Sequence, residues 1–171
     1  MDHPRAGLRY VGADELNSGE RHPFKGFTVE DPGGERLGKL EGFILEINAA
    51  RPYYVVVDAG GWFRSKHFLL PIGHAALDTD SGRLVADVAK DRVKRFPGFD
   101  LAKFKKLSED EWYQMAQQIV TACCPEEIID ESAPAIERFE IWAHYRTPSW
   151  WDAGAYNLSR VRDRSTAGPR R

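Results

Sequence analysis

Apolar and polar residues alternate in several short stretches of the first hundred residues, with the period of two that half-buried strands show. Residues 27–30 alternate in this way, and a proline- and glycine-containing turn follows at residues 31–34. A longer alternation over residues 37–47 is interrupted by Gly38 and Gly42, which we interpret as corners where the backbone bends or is closely approached. The pattern predicts a small, strongly curved sheet.

Two more strands are predicted after this pair. Residues 53–58 form a near-continuous apolar run, typical of a strand that is covered on both faces, and we expect it to be the central strand. Gly60 and Gly61 turn the chain, and residues 62–71 alternate again. This strand should end at Pro71, because proline has no amide hydrogen to donate to a neighbouring strand.

A last hairpin is predicted from residues 75–78 and 83–88. At the other end of the chain, residues 1–21 are rich in glycine and charge and contain one short apolar patch. Leu8 and Val11 are its candidates for packing on the sheet or on a neighbouring subunit. We nevertheless expect this region to be a loosely attached arm.

One helix is clearly predicted, beginning after Ser108. This residue can cap the amide of Glu111 while the Glu111 carboxylate reaches back to the amide of Ser108. Apolar residues then recur at helical spacing until Pro125 ends the pattern. The stripe consists of Trp112, Met115, Ala116, Ile119, Val120 and Cys123. It requires an apolar partner, which is either the sheet of the same chain or a second subunit.

A basic segment, residues 90–106, interleaves lysines and arginines with phenylalanines. This combination neutralises phosphates and stacks on bases in proteins that bind single strands. The alternative is a solvated lysine face above phenylalanines that plug the sheet. The candidate phosphate contacts are Lys94, Arg95, Lys103, Lys105 and Lys106.

Large aromatic residues are concentrated in residues 142–156, and tryptophan and tyrosine dominate the energetics of interfaces. If these rings are exposed, they form a binding surface; if they are buried, they fasten the tail to the rest of the protein. With the helical stripe they give the candidate interface residues Trp112, Met115, Ile119, Trp142, Tyr145, Trp150, Trp151 and Tyr156.

The ordered series of motifs resembles the PRC-barrel family over residues 22–100. The quoted residues are Val29, Asp31, Gly34, Leu37-Gly38-Lys39-Leu40, Val55-Val56-Val57, Gly60-Gly61, Leu70-Pro71 and Phe96-Pro97-Gly98-Phe99-Asp100. The family takes its name from the cytoplasmic barrel of the photosynthetic reaction centre H subunit, and a ribosome maturation factor carries a similar barrel. The resemblance implies a small β-barrel that serves as a binding or assembly platform. It supplies no shared catalytic motif.

Composition adds limits rather than a function. The chain has 171 residues, 42% hydrophobic and 29% charged, with a net charge of -2, which favours no particular class of partner. Its first residues contain no apolar signal core and no stretch is apolar enough to span a membrane, so we expect a cytoplasmic protein. The two cysteines are adjacent, Cys123 and Cys124, and we expect both to be reduced thiols.

Motifs for phosphate-binding loops, dinucleotide folds, paired zinc cysteines and nucleophile elbows are absent from the sequence. His67 and His74 flank Pro71, His22 and His144 lie far away in sequence, and none of them has the short spacing of a helical metal site. We therefore predict no catalytic residue, no cofactor and no metal site, and expect the protein not to be an enzyme.

The sequence thus predicts a mainly β fold with a helical extension. Four regions are expected: an arm at 1–21, a PRC-type barrel at 22–100, a helical and aromatic extension at 101–158, and a disordered basic tail at 159–171. The favoured function is a self-associating interaction or assembly platform with an unidentified protein partner. One alternative is an RNA- or ribosome-associated factor using the basic segment, and another is an enzyme or small-ligand binder with an unrecognised site.

Overall fold

The computed structural model of the protein describes residues 7–16, 24–63, 65–78, 80–123 and 144–151. The candidate interface residues Trp142 and Tyr156 and the predicted disordered tail lie outside these ranges.

Seven strands, three α-helices and two single-turn 3₁₀ helices, Gly60–Trp62 and Ile72–His74, make up the described structure. The strands are β1 (Leu8–Gly12), β2 (Thr28–Glu30), β3 (Arg36–Glu46), β4 (Arg51–Asp58), β5 (His67–Pro71), β6 (Ala75–Asp78) and β7 (Arg83–Ala86). The helices are α1 (Lys90–Val93), α2 (Leu101–Phe104) and α3 (Glu109–Cys123). The predicted β-rich fold with a helical extension is confirmed, as is the hairpin of β6 and β7.

The sheet is organised around β3, not around β4 as the sequence predicted. Along the sheet the order is β5-β4-β3-β2-β7-β6, and β1 also pairs with β3. The long β3 therefore has three partners: β2 on its first part, β1 on its second part, and β4 on the opposite side. Strand β4 is buried along nearly its whole length, as predicted, because the curved sheet and the helical extension cover both of its faces.

Two glycines allow neighbouring strands to approach β3 closely, as the sequence predicted. A Cβ atom at Gly38 would lie 2.1 Å from the carbonyl oxygen of Asp58, and one at Gly42 would lie 2.5 Å from that of Val11. Both distances are far below contact distance, so only glycine fits. The β3–β4 register also shifts between Leu40 and Gly42, which is the kind of irregularity that bends a sheet.

The N-terminal region is more ordered than expected. Instead of a loose arm, residues 8–12 form β1, which pairs antiparallel with the second part of β3. Leu8 and Val11 are fully buried in the core, so the alternative in which they pack on the sheet is the correct one. The burial of these two side chains, with the ladder hydrogen bonds, outweighs the tendency of a chain terminus to fray.

Asp31 ties the turn after β2 to the start of α1. Its Oδ1 accepts hydrogen bonds from the amides of Gly33 (2.9 Å) and Glu35 (2.8 Å), and its Oδ2 accepts one from the amide of Lys90 (3.1 Å). Burial alone would raise the pKa of this carboxyl, but the surrounding backbone amides favour the charged form more strongly and lower the pKa overall. This carboxylate therefore positions the beginning of the basic segment.

The segment that follows α1 packs along the edge of the sheet at β5. The amide of Phe99 donates a hydrogen bond to the carbonyl of His67, 3.0 Å away. Phe96 and Phe99 are buried, and Phe96 packs edge-on against Phe68 of β5. A Cβ at Gly98 would collide with the side chain of Ser65 at 2.1 Å, so this close packing also requires glycine.

Helix α3 begins with the predicted reciprocal cap. The Glu111 amide donates to Ser108 Oγ (3.1 Å), and the Ser108 amide donates to Glu111 Oε1 (2.9 Å). The helix contacts β5 and α1. Arg92 of α1 donates to the carbonyl of Cys123 at the last turn of α3 (3.1 Å), which is a favourable place for a cation because helix carbonyls there lack partners.

Candidate functional site: charged exterior and buried histidine pair

The apolar stripe of α3 is part of the core of the same chain. Trp112, Ile119 and Cys123 are buried, whereas Met115 is partly exposed. Trp112 meets the ring of Tyr54 of β4 edge-on, with ring centroids 5.5 Å apart. Of the two partners that the sequence left open for this stripe, the structure provides the sheet.

The aromatic segment, residues 144–151, lies across the sheet with its rings inward. Tyr145 and Trp151 are buried and Trp150 is partly buried. Trp151 Nε1 donates to the carbonyl of Ala50 (2.8 Å), and Trp150 Nε1 donates to that of Ala75 (3.0 Å). The described rings of the aromatic-rich tail therefore fasten it to the sheet and do not form an exposed surface.

A buried hydroxyl pair joins this segment to β4. The hydroxyl oxygens of Tyr54 and Tyr145 are 2.7 Å apart. Burial raises the pKa of both phenols above the usual value, so both remain neutral and one donates to the other.

The basic segment divides its two kinds of side chain between core and solvent. Phe96, Phe99 and Phe104 are buried. The five candidate phosphate contacts are all exposed: Lys94, Arg95, Lys103, Lys105 and Lys106. Lys94 is 3.5 Å from the carboxylate of Asp91, but Lys103, Lys105 and Lys106 form no ion pair with any described residue. The segment thus exposes its charges above buried phenylalanines, and none of these three rings is available to stack on a nucleic-acid base.

The motif residues of the family resemblance are mostly at turns and strand ends. Gly34 and Gly60 adopt positive φ angles, of 88° and 72°, in the turns after β2 and β4. Gly61 continues the second of these turns, Pro71 is the last residue of β5, and Pro97 lies in the connection after α1. These glycines and prolines shape the fold and carry no reactive side chain.

The structure brings together a histidine pair that the sequence analysis did not recognise. His74 ends the short turn between β5 and β6, and His144 begins the aromatic segment, 70 residues later. His74 Nε2 lies 2.5 Å from His144 Nδ1, and His74 Nδ1 lies 2.6 Å from a carboxylate oxygen of Asp87. Asp87 is held in place because its amide donates to the carbonyl of His74 across the β6–β7 hairpin (3.0 Å).

The hydrogen-bonding groups of Asp87, His74 and His144 limit where the protons between them can lie. A carboxylate can only accept, so His74 Nδ1 donates to Asp87, and one proton lies between His74 Nε2 and His144 Nδ1. Burial, followed by the neighbouring His74, lowers the pKa of His144 to about 4, with Asp87 opposing the shift. His144 is therefore a neutral imidazole at neutral pH.

Cys123 lies beside the pair. Its Sγ and one ring nitrogen from each of His74 and His144 lie within 4.8 Å of one another. Contrary to the sequence expectation of reduced thiols, Cys123 is disulfide-bonded, and the chain contains one other cysteine, Cys124. A second group of potential ligands, Glu41, Asp58 and His67, lies where β3, β4 and β5 adjoin.

Sequence reasoning missed the histidine pair because no spacing rule connects its members. His74 follows a strand, Cys123 ends a helix, and His144 comes after a long intervening segment. The one signal was indirect: the predicted β6–β7 hairpin places residue 87 opposite residue 74, and so pairs an aspartate with a histidine.

The fold belongs to the class of small, strongly curved β-sheet modules that are covered by helices. Residues 19–93 match the family model described as "PRC-barrel domain". The resemblance recognised in the sequence is therefore confirmed for this part of the chain, which is similar to PRC-barrel domains.

A relative from Deinococcus radiodurans, described as "Uncharacterized protein", is 32% identical over 92 residues. The match covers 49% of this chain and 33% of the relative, so the chain spans about a third of the length of this curated relative. Among the described residues, none of the helices has the length and apolar character needed to cross a bilayer.

Proposed function

We propose that this protein is a non-enzymatic PRC-barrel platform that self-associates through its charged exterior. The observation that carries the proposal is the division within the basic segment, where the phenylalanines are buried and the five basic side chains are exposed. Because the chain under these charges is anchored in the core, they form a charged surface with a fixed position. Such surfaces provide orientation and specificity in association.

The complementary surface is the first turn of α3. Glu109, Asp110 and Glu111 are exposed there, immediately after the basic segment in sequence. In a dimer with two-fold symmetry, the basic segment of each copy can meet the acidic turn of the other, so every contact occurs twice. Attraction between exposed charges is screened by salt, and association through these surfaces is expected to weaken as ionic strength rises.

The decisive measurement is the absolute mass in solution by light scattering, at low and high salt. Wild type is expected to be a dimer or larger at low salt and to dissociate at high salt. The variant Lys103→Glu/Lys105→Glu/Lys106→Glu should be monomeric, as should Glu109→Lys/Asp110→Lys. A mixture of the two variants should associate again, because the reversed charges are complementary. Glu111 is left unchanged since it caps the helix.

The matched control reverses three exposed basic residues elsewhere, in Lys25→Glu/Arg36→Glu/Lys39→Glu. This variant should associate like wild type. A wild-type protein that is monomeric at all concentrations would refute the proposal, as would an oligomer that responds neither to salt nor to the Lys103, Lys105 and Lys106 reversals.

The second candidate function is binding to a nucleic acid, which the exposure of the five basic residues also favours. With Phe96, Phe99 and Phe104 buried, this binding would be directed by phosphates rather than by stacking. The measurement is the affinity for a single-stranded RNA oligonucleotide as a function of salt. An affinity that falls steeply with salt and disappears in the Lys103, Lys105 and Lys106 variant, with wild type monomeric, would favour this function over self-association.

A further inference from the structure

We propose that His74, Cys123 and His144 form a site for a divalent transition metal of the zinc type, which is open when Cys123 is reduced and closed by its disulfide. The proposal is independent of the charged exterior. It rests on the convergence of three donor groups from three separate parts of the fold.

The donor set is the first argument. Two imidazole nitrogens and one thiolate are the ligands that Zn²⁺ prefers, and three protein ligands leave one coordination position for water or another small ligand. The three donor atoms lie within 4.8 Å of one another. In a tetrahedral zinc site with bonds of about 2.0–2.3 Å, ligand atoms are separated by roughly 3.3–3.8 Å, so small side-chain rotations suffice to enclose an ion.

The support around the ligands is the second argument. Asp87 accepts a hydrogen bond from His74 Nδ1 and so orients the ring with Nε2 inward, toward His144. A carboxylate behind a ligating histidine is the usual outer partner in zinc sites, where it fixes the ring and its tautomer. His144 and Cys123 are also almost completely buried, so the ligands are held away from bulk water.

The disulfide would regulate metal binding. A sulfur in a disulfide is not the thiolate that binds zinc, so the oxidised protein offers only the two histidines. A phosphine reductant with one water breaks the S–S bond, giving two thiols and the phosphine oxide. The Cys123 thiol then loses its proton to solvent as the metal–sulfur bond forms. The bound ion would join the end of α3 to the β5–β6 turn and to the aromatic segment.

The test is a titration of the full chain with Co²⁺, which replaces Zn²⁺ and reports its ligands by its absorption spectrum. Protein reduced with a phosphine and freed of reductant under argon should bind one equivalent. It should show the intense bands of tetrahedral Co²⁺ together with a sulfur-to-cobalt charge-transfer band. Excess Zn²⁺ should displace the cobalt and remove both. The oxidised protein should show no charge-transfer band.

Variants assign the ligands. Cys123→Ser should abolish the charge-transfer band, whereas Cys124→Ser should keep it and remove the sensitivity to oxidation. Asp87→Asn should weaken Zn²⁺ binding by about tenfold or more while leaving the band in place. His74→Asn should prevent tetrahedral binding, and His67→Asn, at the other cluster, is the matched histidine control and should bind like wild type.

Reduced wild type that binds no Co²⁺ at micromolar concentrations would overturn the proposal. So would binding that survives Cys123→Ser unchanged or that is lost in His67→Asn. If His74→Asn fails to fold by circular dichroism, the comparison between the Cys123→Ser and Cys124→Ser variants decides the question without it.

Discussion

The basic segment and the aromatic segment both combine rings with polar groups, yet they direct these groups differently. In the basic segment, the phenylalanines enter the core and the charges stay in solvent. In the aromatic segment, tryptophan and tyrosine enter the core with their polar atoms, because each described ring finds a hydrogen-bond partner there. The difference shows that enrichment in tryptophan and tyrosine does not by itself identify a binding surface. Satisfied N–H and O–H groups permit burial of the whole side chain.

The sharpest test of this contrast is Trp151→Ala. The ring is buried against Phe24 and Phe43, and its Nε1 donates to the carbonyl of Ala50. Its removal should lower the free energy of unfolding by about 3–5 kcal/mol, the range for large aromatic-to-alanine changes in a core. Urea denaturation followed by circular dichroism measures the loss.

The matched controls are on the exterior. Tyr113→Ala removes a ring that is 59% exposed, and Lys105→Ala removes an exposed charge. Both should change the free energy of unfolding by less than about 0.5 kcal/mol. If Trp151→Ala were as mild as Tyr113→Ala, the aromatic segment would not be part of the core.

An intermediate effect is expected at the anchor of the basic segment, in Asp31→Asn. The amide nitrogen of the new side chain cannot accept from the backbone amide of Lys90, so the variant should lose about 1–3 kcal/mol of stability at neutral pH. Glu35→Gln is the control, because it removes a neighbouring exposed carboxylate that belongs to the same turn.

The Asp31 effect should also depend on pH. The pKa of this carboxyl is lower in the folded protein than the ordinary value of 3.8, so its stabilising contribution is complete above that value. It is lost as pH falls through the lowered folded pKa. The difference in unfolding free energy between wild type and Asp31→Asn should therefore be constant from neutral pH down to about 5 and shrink below about 4. A difference that grew on acidification would contradict the assignment.

The smallest effect is expected at the hydroxyl pair of Tyr54 and Tyr145. Either Tyr→Phe change should cost about 1 kcal/mol, because the remaining buried hydroxyl loses a hydrogen bond. The double variant should cost less than the sum of the single changes, since removing both hydroxyls leaves neither with a lost partner. Strictly additive costs in a double-mutant cycle by urea denaturation would show that the two hydroxyls are not coupled.

Local chemistry explains which parts of the fold the sequence predicted correctly. The Ser108–Glu111 cap and the span of α3 depend on residues near one another in sequence. The close approaches at Gly38 and Gly42 involve distant partners, but a glycine inside a strand pattern signals them locally. The prediction that β4 is the central strand was wrong. An apolar run indicates that a strand is buried on both faces, and here the curvature of the sheet and the covering helices bury β4 although it is not central. Strand β1 was missed because its few residues gain order only by pairing with β3.

The functional groups were harder to predict because contacts between residues that are distant in sequence bring them together. The exposed basic side chains above buried phenylalanines correspond to one of the two alternatives that the sequence allowed, because both residue types are interleaved in the basic segment. The histidine pair had no such pattern. It depends on the path of the chain over 70 residues, and on a hairpin that places Asp87 beside His74.

The hydrogen bond from Phe99 to His67 has a practical consequence for work with fragments. It caps one end of an outer strand, β5, whose free backbone groups would otherwise invite pairing with other molecules and aggregation. The family match ends at residue 93, before this capping stretch, and begins at residue 19, after β1. A fragment cut at those limits would expose strand edges and the ring of Phe68. The family match thus covers less of the chain than the sheet together with the segments that protect its edges.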